Sequence, residues 1–210
     1  MRFFFHVTLK QPVTTFVIPA RKAPAKLPEI LSREEVDRIL ASCLNIKHRA
    51  LLTATYAAGL RASETCALQV SDIDSERMML RVDSGKGGKD RYTLLSPRLL
   101  DTLRLYWRAT RPGCLLFPKA DGKRPIDVSQ IQKIYYAAKR RAGVVKQGGI
   151  HSLRHAFATH LLEAGVDIHT IAQLMGHDNI STTTRYLHLR QQVAKTNSPL
   201  DLLSSLSARR

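Results

Sequence analysis

Cysteine is scarce in this sequence. Cys43, Cys66 and Cys114 are an odd number with no Cys-x-x-Cys pair, which argues against a disulfide scaffold and a zinc ribbon and fits a reducing cytoplasm. Long apolar runs are also missing. No stretch approaches the roughly 20 residues that cross a bilayer, so no membrane segment is expected. The apolar start, Met1 to Leu9, is interrupted by His6 and followed by Lys10 and Pro12, too short and broken for a signal peptide. Acidic residues are few: 17 Asp and Glu stand against 33 Lys and Arg, a formal net charge of +16 in 210 residues. That excess is spread along the chain, so the first partner to expect is a polyanion, with nucleic acid ahead of an anionic membrane surface. What is present is ordinary for a globular fold: 44% hydrophobic and 24% charged residues, with no internal repeat and the length of one domain with appendages.

Residues 1 to 28 contain Pro12, Pro19, Pro24 and Pro28, five Lys/Arg and no acidic residue, and read as a basic arm or linker. The domain begins after it. Ser32, with Glu35 three residues on and Val36, Ile39 and Leu40 behind, is a helix N-cap with a capping box. A second helix is predicted over residues 46–58, stopping at Gly59, and a short one opens near Ser63, its start being the first place to look for anion binding. Between Met79 and Leu95 two strands flank the turn Ser84-Gly-Lys-Gly-Gly-Lys-Asp90, a β-hairpin. Helical spacing returns at Leu99, Leu100, Leu103 and Tyr106, and from Val128 to Ala142, where Ile131, Ile134, Tyr135 and Ala138 share a face. Two more helices run from His151 to Ala164, ended by Gly165, and from Ile168 to Met175, ended by Gly176. The expected fold is α+β, mainly α, with a small antiparallel sheet.

The densest reactive run is His151-Ser-Leu-Arg154-His155-Ala-Phe-Ala-Thr-His160. On a helix, positions 151, 154 and 155 share a face. Leu153, Phe157, Leu161 and Ala164 form a neighbouring apolar stripe, so the His/Arg face is expected to stay open for a ligand. With Arg61 and the hairpin, these residue types suit a phosphodiester. Arg61 and Arg154 can clamp the non-bridging oxygens through forked hydrogen bonds and stabilise a pentacovalent transition state, with no metal required. A tyrosine hydroxyl can attack phosphorus; Tyr186, after the three threonines 182 to 184, sits on a segment with poor helix propensity. Lys86, on the hairpin turn, can protonate the departing sugar oxygen, and Glu64 can hold the Arg61 guanidinium in place.

Other readings of the same residues are weaker. His151 and His155 have zinc-ligand spacing, but there is no His-Glu-x-x-His and no evident third ligand, so no metal is expected. Lys89 is followed by Asp90 rather than Ser or Thr, against an ATP loop. Tyr135-Tyr136 and Lys139-Arg140-Arg141 read as a helix with one core face and one solvated face rather than a base-stacking site.

Four segments together resemble the tyrosine recombinase (phage integrase) superfamily, and most closely the Xer-like integrases of bacterial mobile elements. They are Ala-Ala-Gly-Leu-Arg61-Ala-Ser-Glu64, Gly85-Lys86-Gly-Gly-Lys89-Asp-Arg91, His151-Ser-Leu-Arg154-His155 through Gly165, and Leu174-Met-Gly-His177 through Arg185-Tyr186-Leu-His188. Their order, with 23 residues from Arg154 to His177 and nine from His177 to Tyr186, is similar to the family's. The resemblance implies Tyr186 as nucleophile, Arg61 and Arg154 as phosphate clamps, Lys86 as general acid, and His151 and His177 completing the site. It also implies a 3′-phosphotyrosyl link, strand exchange through a Holliday junction, double-stranded DNA as partner, a homotetramer on that DNA, and no cofactor. Lys89, Arg91, Lys139, Arg140 and Arg185 are the expected DNA contacts, and a bacterial cytoplasm the expected compartment.

The resemblance spans about residues 27 to 192, so the expected organisation is a basic arm over 1–28, a catalytic domain over 29–192 and a tail over 193–210. Family members normally carry a helical core-binding domain before the catalytic one. The short arm therefore suggests a catalytic-domain fragment, a truncated element copy or a misplaced start codon. In the tail, Leu200, Leu203 and Leu206 make a short apolar stripe, suited to docking on a neighbouring protomer or folding back on its own domain. The rival readings are a DNA-binding module with little or no recombination activity, a type IB topoisomerase-like strand cleaver and a metal-dependent nuclease.

Overall fold

A computed structural model describes residues 29–83 and 90–176; the basic arm, the hairpin tip and everything after Gly176 lie outside the described residues. Helix α1 (Arg33–Ala41) starts with the reciprocal box that its sequence spells: Ser32 Oγ accepts from Glu35 N at 3.2 Å, and the Glu35 carboxylate accepts from Ser32 N at 2.7 Å. The same carboxylate accepts from Lys146 Nζ at 2.7 Å, fastening the start of the domain to a distant loop. Helix α2 (Ile46–Ala57), capped by Asn45, buries every residue from Ala50 to Thr55. A helix apolar on nearly all sides belongs in the middle of a domain, and α2 packs against both α4 (Pro97–Thr110) and α6 (His151–Glu163).

After α2 the chain turns at Gly59 into the short helix α3 (Ala62–Ala67) and then a three-stranded antiparallel sheet, β1 (Ile73–Asp74), β2 (Met79–Val82) and β3 (Arg91–Leu94), in sequential order. The hairpin is the one expected, with Leu80 opposite Thr93 and Val82 opposite Arg91. Strand β1 is an addition: two residues carry too little alternation to be read as a strand. Buried Thr93 donates its hydroxyl to the Ala58 carbonyl at 2.9 Å and so ties the sheet to the end of α2.

The remaining helices follow their apolar spacing. Helix α4 buries Leu99, Leu100, Leu103 and Tyr106, and the Tyr106 hydroxyl donates to Leu116 O at 2.9 Å. Helix α5 (Val128–Arg141) turns Ile131, Ile134, Tyr135 and Ala138 inward and packs on α1 and α3. Helix α7 (Ile168–Met175) lies against β3 and α6 and shares with α6 a separate apolar cluster of Phe157, Ala158, Leu162, Ile171 and Met175. Among the described residues the fold is therefore mainly helical, with seven helices and one small antiparallel sheet, and no helix is long and apolar enough to cross a membrane.

Candidate active site

The site is built where α3, β3, α6 and the end of α7 meet. Glu64, the third residue of α3, turns its carboxylate back toward the residue that precedes the helix. Oε2 accepts from Arg61 N at 2.7 Å and Oε1 from Arg61 Nη1 at 2.7 Å. The residue just ahead of α3, where the sequence points to anion binding, thus already pairs with one of the chain's own carboxylates. A second arginine completes the group: Arg91 on β3 grips the same carboxylate in a bidentate fork, with Nη1 to Oε1 and Nη2 to Oε2, both 2.8 Å. A carboxylate offers about four lone-pair sites, and these four bonds take them all. A third arginine, Arg154 of α6, lies alongside with Nη1 3.7 Å from Glu64 Oε2.

All three guanidinium groups also receive the end of α7. Arg91 Nε donates to Leu174 O at 2.9 Å, Arg154 Nη2 to Met175 O at 2.6 Å and Arg61 Nη2 to Gly176 O at 2.9 Å. A helix leaves its last carbonyls without intrahelical partners and carries its negative dipole end there, so cations are well placed to meet it. Two glycines make the approach possible. Gly176 has φ +63, and a Cβ there would lie 2.8 Å from Arg91 Cδ. Gly59 has φ +61, its carbonyl accepts from Arg154 Nη1 at 2.6 Å, and a Cβ there would come within 2.4 Å of the Phe157 ring.

The electrostatics follow from this crowding. Burial pushes the Glu64 carboxyl toward its neutral form, but the hydrogen bonds from Arg91 and Arg61 outweigh that and hold it down at about 2. It is an anion at any physiological pH. One negative charge among three positive ones leaves an excess of positive charge, suited to an anionic ligand.

The residues singled out from the sequence are distributed unevenly. Arg61, Glu64 and Arg154 come together, whereas His151 stands exposed at the first position of α6 and His155 is half-buried. The expected open face on α6 is corrected: Arg154 has only 6% of its side chain exposed, because α6 is enclosed from Ser152 to Arg154 and from Ala156 to His160. Two cations expected on DNA are inside the protein. Arg91 is 9% exposed with its fork turned onto Glu64, and Lys139 is buried with Nζ bonded to Lys146 O. Arg140 is exposed on α5. Lys86, Lys89, His177, Arg185 and Tyr186 lie outside the described residues.

His160, which closes the reactive run on α6 but was given no role from the sequence, is buried. Its ring spans two partners, Nδ1 to the Tyr56 hydroxyl at 2.8 Å and Nε2 to Leu31 O at 3.0 Å. Since a carbonyl only accepts, Nε2 carries the proton and Nδ1 accepts from Tyr56. Burial lowers the pKa of this ring, consistent with its neutral state.

Comparison with known proteins places the chain in a family. Residues 29–193 match the model of the phage integrase family. The chain is 49% identical over 205 residues to the integrase/recombinase y4qK of Sinorhizobium fredii, a match spanning 97% of this chain and 67% of that protein. It is 39% identical over 184 residues to tyrosine recombinase XerA of Thermococcus kodakarensis, spanning 83% of this chain and 64% of that one. Its fold is similar to that of XerH site-specific recombinase bound to palindromic difH substrate in a post-cleavage complex, with a TM-score of 0.71 and 25% identity over 87% of this chain and 54% of that one. The chain belongs to the phage integrase family of tyrosine recombinases.

Proposed function

We propose that the chain is a site-specific DNA recombinase or integrase, with residues 29–192 forming the unit that cuts and rejoins double-stranded DNA. The Tyr186 hydroxyl gives up its proton to a histidine of the site and attacks the scissile phosphorus, the bond to the 5′ oxygen breaks, and a 3′-phosphotyrosyl link keeps the phosphodiester for rejoining. Lys86 gives the departing oxygen its proton. Arg61 and Arg154 stabilise the extra negative charge of the phosphorane, His151 and His177 complete the site, and neither metal nor ATP is used. Four chains assemble on the DNA to exchange strands. The observation that carries this reading is the gathering of three arginines around one ionised, buried glutamate. The two segments bearing the remaining machinery adjoin it in sequence: Lys86 lies five residues before Arg91, and His177 directly follows Gly176. An arginine carries five donors, so the bonds of Arg61 to Glu64 and to Gly176 O aim its guanidinium while using fewer N–H groups than it has, and the carbonyl bonds of Arg154 fix that guanidinium beside it.

The test is trapping on nicked suicide DNA in EDTA, with covalent adduct read on a denaturing gel. The full chain forms an adduct and Tyr186→Phe forms none. An adduct that persists in Tyr186→Phe, or one that requires a divalent metal, defeats the assignment. Binding without any adduct points instead to a DNA-binding module.

A further inference from the structure

The three arginines differ in what they have left to give. Arg61 is 41% exposed, and its partners among the described residues leave several N–H groups unengaged. Arg91 is the opposite case. Its fork is spent on both oxygens of Glu64, its Nε on Leu174 O, and its side chain is 9% exposed. It also lies flat against Gly176, where a Cβ would meet its Cδ, Nη1 and Cζ at 2.8, 2.9 and 3.0 Å. Both of its hydrogen-bond partners lead to the site: Glu64 orients Arg61, and the last turn of α7 precedes His177.

We propose that Arg91 is the positioning residue of this site, aiming Arg61 through Glu64 and fixing the end of α7 through Leu174 O without itself contacting DNA. The proposal rests on the reading of the site as one that cleaves a phosphodiester. Geometry explains why the residue is arginine. A planar fork serves two carboxylate oxygens at once while Nε reaches a carbonyl to the side, whereas a lysine is a single point of charge. Without Arg91, Glu64 loses its bidentate partner inside a buried pocket and keeps its bonds to Arg61 and the Arg154 guanidinium 3.7 Å away, so the balance that keeps it ionised is weakened.

The test uses the full chain carrying Arg91→Gln or Arg91→Lys. Single-turnover adduct formation on nicked DNA is followed across pH, together with duplex affinity as a function of salt and, without DNA, amide hydrogen exchange. Arg91→Gln is expected to slow adduct formation by about 100-fold, the scale of an ångström-sized misplacement. Its affinity and salt dependence stay as in the unaltered chain. The acid limb of its rate profile moves upward, because a Glu64 no longer held at about 2 titrates nearer its ordinary 4.5. Exchange quickens in α7 but not in α2, and Arg91→Lys recovers part of the rate.

Weaker binding with a shallower salt dependence would make Arg91 a DNA contact and overturn the proposal. An unchanged rate, or unchanged exchange in α7, would do the same. If Arg91→Gln does not fold, the same measurements on Arg91→Lys decide. If the unaltered chain forms no adduct, the recombinase reading fails by itself, and the exchange measurement still decides whether Arg91 holds α7.

Discussion

Glu64 and Asp121 are both held at about 2, yet they sit in opposite surroundings. Asp121 is in an exposed turn, where it accepts from Lys123 N and Arg124 N and pairs with Arg124 Nε at 2.7 Å. Everything that stabilises it lies within three residues, and water is on hand to replace each partner. Glu64 draws its partners from the residue just ahead of α3 and from β3, with Arg154 of α6 close by, and only 7% of its side chain meets solvent. A depressed carboxyl pKa thus says how well an anion is served by its neighbours. Whether the fold depends on that anion is set by what could replace it. For Asp121 the replacement is solvent; for Glu64 there is none, and its loss strands guanidinium charges in a place poor in water.

Glu64→Ala should produce the largest effect, about 3 to 5 kcal/mol of lost stability in urea unfolding, since it removes one partner of a buried charged group. A cost of about 1 kcal/mol or less, the range of exposed pairs, would break the contrast.

His160 comes next and sharpens the comparison, because it is buried but neutral. Its folded pKa lies below the ordinary 6.5, so the unfolded chain binds the proton more readily. Its contribution to stability is therefore fully present above 6.5 and is lost as pH falls through the depressed folded value. Melting temperatures should fall on that acid side in the unaltered chain and fall less in His160→Gln; equal slopes would show that His160 does not couple to folding. Asp121→Asn should have the smallest effect, leaving the urea midpoint and adduct formation where they are, and a clear shift in either would show that the exposed turn matters more than its solvation allows.

Local signals carried most of the fold. Ser32 with Glu35, the apolar spacing of α4 and α5, and the glycines at 59, 165 and 176 each act within a few residues of chain, so pattern alone locates them. The Arg61–Glu64 pair was legible for the same reason, being three residues apart. Arg91 was not. It is 27 residues from Glu64, and only the hairpin brings it back, so no local pattern shows that the two are partners. Arg154 was misplaced on a face argument: polar residues at helical spacing suggest a solvated side, but here the backbone carbonyls of Gly59 and Met175 satisfy the guanidinium in the interior. The burial of Lys139 was equally hidden, because the Lys146 carbonyl that receives its ammonium comes from the loop beyond the end of α5.

The end of α7 rests on three feet, each planted in a different part of the chain: Arg91 in β3, Arg154 in α6, and Arg61 just ahead of α3. Three separate supports are the fewest that fix the attitude of a rigid body, as with an instrument on a bench. Any displacement of β3, of α6 or of the residue ahead of α3 therefore reaches the same three consecutive carbonyls, those of Leu174, Met175 and Gly176.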